Sequence, residues 1–161
     1  MALASDIAAS YRRPGPVVRR RLGEPARAEG RALVTCMLAC FLIFVAQWPR
    51  LSREAFLTDQ DVQPMIGGAL FSWIFIMPLV LYALAGLSHL VASRLGGRGT
   101  YVEARMALFW ALLCAAPLWL LWGLMAGFKG PGPALDLVGI VALLAFVLIW
   151  AASLYAVERP S

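Results

Sequence analysis

The sequence predicts an all-α fold: a polytopic transmembrane helical bundle of four spans with both termini cytoplasmic. Three observations lead there. Residues 32–49, 62–93, 106–128 and 137–157 contain no Asp, Glu, Lys or Arg and run for 18, 32, 23 and 21 residues. A bilayer core needs roughly 20 apolar residues of helix. The composition agrees, at 61% hydrophobic residues and a mean hydropathy of +0.77. The basic residues are also unevenly placed. With the N-terminus inside, 11 of them fall on the cytoplasmic side and 3 (Arg50, Arg53, Lys129) outside, which sets orientation by the positive-inside rule.

The 161 residues therefore divide into an Arg-rich arm, 1–31, and a four-helix transmembrane domain, 32–157. Neither the arm nor the connections reach the ~50 residues of a small soluble domain. Some 30 polar, Arg-rich residues precede the first apolar run, which does not read as a signal peptide. Arginine supplies 13 of the 14 basic residues. With the abundant Ala, Gly and Leu, that bias points to a GC-rich bacterial source and so to the cell inner membrane, as a multi-pass protein.

In the arm, Ser5-Asp6 opens a short helix over residues 7–13, and Pro14-Gly15-Pro16 ends it. Arg12, Arg13, Arg19, Arg20, Arg21, Arg27 and Arg31 form a lipid-headgroup anchor for anionic membranes. Span one covers 32–48; Ala32, Cys36 and Cys40 give it a narrow face of small residues suited to close helix packing, and Pro49 ends it. Ser52 starts a short surface helix in the connection that follows. Span two, 65–93, begins after Pro64 and is longer than a bilayer requires, with a kink expected at Pro78. The turn at Gly96-Gly97-Arg98-Gly99 leads into a capping box, Thr100 with Glu103, so the next helix starts at Tyr101. Span three, 104–127, carries a second small-residue stripe (Ala107, Ala111, Ala115), a GxxxG pair (Gly123, Gly127) and a second kink at Pro117. Span four covers 135–156.

Chemistry is sparse. Ionisable groups at membrane depth mark pumps, coupled carriers and intramembrane proteases, and the span centres hold none. His89 is the only histidine, near the end of span two, where it bonds a carbonyl or a headgroup by default. The odd count of three cysteines, all within spans, is not a disulfide framework. No catalytic residue, cofactor site or metal site is expected, and no nucleic-acid surface.

From the second half of span two through span four the pattern resembles the Yip1 domain family of small polytopic membrane proteins. The residues that carry it are Gly96-Gly97-Arg98-Gly99-Thr100-Tyr101, Glu103-Ala104 and the run Ala107-Leu108-Phe109-Trp110-Ala111-Leu112-Leu113 leading to Pro117. The resemblance implies a helical membrane bundle without catalytic residues. For eukaryotic members it implies membrane traffic and small-GTPase partners, which do not carry over to a bacterial chain.

The expected function is non-enzymatic: lateral association with other transmembrane proteins, as a scaffold, assembly factor or accessory subunit. The alternative is a small transporter or channel component whose helices bend at Pro78 and Pro117.

Overall fold

The computed structural model describes residues 3–159, and among these it is helical with no strand. Six helices follow in order: α1 (Leu3–Ser10), α2 (Pro14–Leu22), α3 (Pro25–Leu57), α4 (Val62–Arg94), α5 (Tyr101–Phe128) and α6 (Pro133–Glu158). Helices α3 to α6 are each long and apolar enough to cross a membrane, the pattern of a multi-pass membrane protein.

Local chemistry sets most ends. Prolines occupy the first turns of α2, α3 and α6, where a missing N–H leaves nothing unpaired. The Asp61 carboxylate accepts the Gln63 N–H at 3.1 Å and caps α4. The Thr100–Glu103 capping box forms as expected, with both reciprocal bonds, and α5 starts at Tyr101. At the end of α4, Gly96 takes φ +93° and Gly97 N–H bonds the Ala92 carbonyl at 2.8 Å. This is a Schellman stop, which needs a residue free of a Cβ at the left-handed position.

Three expectations about helix ends are corrected. In the arm, α1 ends at Ser10, and Pro14-Gly15-Pro16 forms the first turn of α2, where proline is tolerated. Helix α3 begins at Pro25 and not at Ala32, so the first span extends seven residues into the arm. It also runs through Pro49 to Leu57, and no separate surface helix forms at Ser52. An internal proline costs roughly 3 kcal/mol of helix stability. Here that cost is offset by packing, because Gly127 of α5 lies directly against Pro49. In α4, Ser72–Ile76 form a π-type turn just before Pro78, with the Met77 N–H reaching back to the Ser72 carbonyl. The wider turn accommodates a proline that cannot donate to the carbonyl behind it.

Helix α5 is the axis of the molecule. Every residue from 106 to 116 is buried, so the helix is covered on all faces. In its most apolar stretch α5 is 56% buried, against 39% for α3, 17% for α6 and 11% for α4. Its largest interface is with α3, and the next is with α6. The rest of it is covered by α4 and by the arm: α1 packs on α5, and α2 packs on α5 and α6.

Candidate functional site: the arm seated on the central helix

The arm is folded and docked. Asp6 on α1 is only 4% exposed, and its two carboxylate oxygens take Arg20 and Arg21 of α2, closing α1 and α2 into a hairpin. A buried carboxylate is held as an ion when paired and hydrogen-bonded. The hairpin is then attached to α5. Trp110 donates its indole N–H to Ser10 Oγ at 2.8 Å, and the Ser10 hydroxyl donates to the Asp6 carbonyl at 2.8 Å. The Arg21 guanidinium lies 4.8 Å from the centre of the Trp110 ring. Tyr11 donates its hydroxyl to the Cys114 carbonyl at 2.6 Å. Burial, and secondarily the neighbouring Cys114, pushes the Tyr11 phenol above its ordinary pKa. Arg19 bonds the Ala156 carbonyl, so α2 is also tied to the end of α6.

Between this hairpin and the start of α3 lies an open cleft of about 890 Å³. Arg20, Arg21, Arg27 and Arg31 line it, with Asp6 as its one carboxylate. Among the described residues Arg27 and Arg31 make no ion pair, although an Arg31 N–H bonds the Leu22 carbonyl at 3.2 Å. Arg12 and Arg13 are exposed and lie outside the cleft.

A second polar cluster closes the same end. His89 Nδ1 of α4 is 2.6 Å from Glu158 Oε1 of α6, and both residues are buried. Glu158 Oε2 accepts the Gly99 N–H at 3.0 Å, and its backbone carbonyl accepts the Arg98 N–H at 2.8 Å. The Tyr101 ring packs edge-on to the imidazole, with 4.3 Å between centroids. One carboxylate thus joins α4, the α4–α5 turn and α6. The default partners expected for His89, a carbonyl or a headgroup, are replaced by this side chain. Glu158 was not singled out in the sequence, because it stands just past the last uncharged run.

The small-residue positions serve the interior of the chain. Ala32, Cys36 and Cys40 of α3 and Ala107, Ala111 and Ala115 of α5 are fully buried. Gly123 and Gly127 face the backbone of Ala46 and Pro49 so closely that a Cβ at either position would collide with it. Pro78 is buried and Pro117 is exposed. Cys36, Cys40 and Cys114 are free thiols, and among the described residues no three of His, Cys, Asp and Glu converge as metal ligands.

Compared with known protein families, curated proteins and solved structures, the chain matches none of them significantly.

Proposed function

We propose that this chain is a non-enzymatic integral membrane protein that works by lateral association, as a scaffold, assembly factor or accessory subunit of a larger membrane complex. Helix α4 is the observation that carries the reading. It is 33 residues long and only 11% buried in its apolar stretch. Phe71, Phe75 and Leu79 follow at four-residue spacing and are 57%, 62% and 73% exposed. Residues at that spacing share one helix face, and here it faces away from the rest of the chain. The small-residue stripes are occupied internally, so association through α4 and the outer side of α6 uses large apolar side chains. A photoreactive residue at Phe75, in cells, is expected to cross-link a partner chain. Cross-links to lipid alone from Phe71, Phe75 and Leu79 would defeat the reading.

The membrane in question is the inner membrane of a bacterium, with both termini cytoplasmic; the 11-to-3 division of basic residues supports this orientation. Leu95→Cys, at an 80% exposed position in the α4–α5 turn, is then labelled only from the cytoplasmic side. Labelling from outside reverses the topology. The Yip1-like pattern remains part of this proposal, resting on the residues from Gly96 to Pro117.

A second reading, a small transporter or channel component, is favoured by the π-type turn at Ser72–Ile76 beside Pro78, since such turns recur at functional sites. It requires flux in reconstituted vesicles that Pro78→Ala abolishes. Flux equal to that of protein-free vesicles removes it.

A further inference from the structure

We propose that the arginine-lined cleft between the arm and α3 is a discrete site for the phosphate of one anionic phospholipid. The inference rests on the chain lying in a bilayer with the first turns of α3 at its surface, and not on the identity of any partner protein.

Charge is the first support. Four guanidinium groups and a single carboxylate line one cleft. Asp6 is fully engaged by Arg20 and Arg21, so Arg27 and Arg31 have no counter-ion among the described residues. The Arg21 Nε is buried and has no hydrogen-bond partner among the described residues. Like charges gathered without a neutralising anion repel one another, and a phosphate relieves that repulsion while accepting paired N–H bonds from planar guanidinium groups.

Depth is the second support. Arg31 is the last charged residue before the uncharged run of residues 32–49. The cleft therefore opens where headgroups meet hydrocarbon, a position at which basic pockets between helices take lipid phosphates. Its wall continues onto apolar surface: Val34, one turn beyond Arg31, lines the cleft and is 68% exposed, and Met106 lies beneath. A free phosphate has no use for that surface, whereas an acyl chain covers it. Arg20 and Arg21 are fixed by Asp6, and Arg21 also by the Trp110 ring, so part of the ordering cost of binding is already met in the fold.

The test is native mass spectrometry of the full chain in mild detergent, with added phosphatidylglycerol, phosphatidylcholine of the same acyl chains, or inorganic phosphate. Wild type is expected to retain one phosphatidylglycerol in preference to phosphatidylcholine. The R27Q/R31Q variant should bind it roughly tenfold more weakly or worse. R12Q/R13Q removes the same charge outside the cleft and should bind as wild type does. Arg27→Gln alone changes an exposed side chain without an ion pair, so it keeps the fold and still weakens binding. Unchanged binding in R27Q/R31Q overturns the proposal. Equal weakening in R12Q/R13Q overturns it too, in favour of general surface charge. Displacement of the lipid by equimolar inorganic phosphate overturns the lipid as source and leaves a soluble-anion site. The assembly mass and Tm of each variant, recorded alongside, separate loss of the lipid site from loss of partner association or of the fold.

Discussion

Trp110 and Ser10 are 100 residues apart in the chain, yet indole Nε1 and hydroxyl Oγ stand 2.8 Å apart, with both residues 1% exposed. This contact makes the arm part of the bundle. It lies about 14 Å along α5 from Tyr101, at the helical rise of 1.5 Å per residue, where a polar group without a partner is costly.

Trp110→Phe keeps most of the ring volume but removes the donor and weakens the stacking of Arg21. The expected loss is about 1–3 kcal/mol. Trypsin digestion after the exposed Arg12 reads the docking: cleavage of the variant should be faster than that of wild type, and equal rates would mean that the arm is held elsewhere.

Tyr11 offers an independent probe. Its folded pKa is raised, so its contribution to docking is fully present below the ordinary tyrosine value and is lost as pH rises through the higher folded value. In an absorbance titration Tyr11 should ionise above the ordinary range, and Tyr11→Phe should reduce the absorbance change in that range by one tyrosine.

The α3–α5 seam predicts a contrast among glycines. Gly123→Ala forces a Cβ into the Ala46 carbonyl and should cost about 1–3 kcal/mol by overpacking. Gly68→Ala, in α4 with no atom near the new methyl, should instead stabilise by roughly 0.5–1 kcal/mol. Thermal unfolding in detergent measures both, and equal effects would contradict the seam.

Glu158 holds three elements together. Glu158→Ala leaves His89 and the Gly99 amide without their acceptor and should cost about 1.5–3 kcal/mol. Glu158→Gln keeps one acceptor oxygen and should cost less. Hydrogen exchange at the Gly99 amide should rise from wild type through Glu158→Gln to Glu158→Ala, and an unchanged rate in the alanine variant would rule the bond out.

The four long helices were legible because absence of charge over 18 residues or more is a strong signal, and Thr100 and Glu103 made one boundary readable to the residue. Pro49 misled because its local penalty is visible in sequence, whereas the seam with Gly127 that offsets it is not. The docked arm was illegible for a similar reason. Asp6 pairs with arginines 14 and 15 residues away, and Ser10 with a tryptophan 100 away, and no periodic pattern encodes such distances. The arm's arginines all read alike as headgroup anchors, although the fold assigns Arg20 and Arg21 to Asp6, Arg19 to a carbonyl of α6, and leaves Arg27 and Arg31 lining the cleft. The segment from Gly96 to Glu103, which carries part of the Yip1 resemblance, is a Schellman stop followed by a capping box. A short connection between two long helices needs both.

The most direct test of the account is the native mass of the full chain, tagged at its own locus and extracted in mild detergent. The account predicts a particle well above one chain in its detergent shell, with other transmembrane proteins in fixed proportion. A monodisperse single-chain particle, retained across extraction conditions, would contradict it.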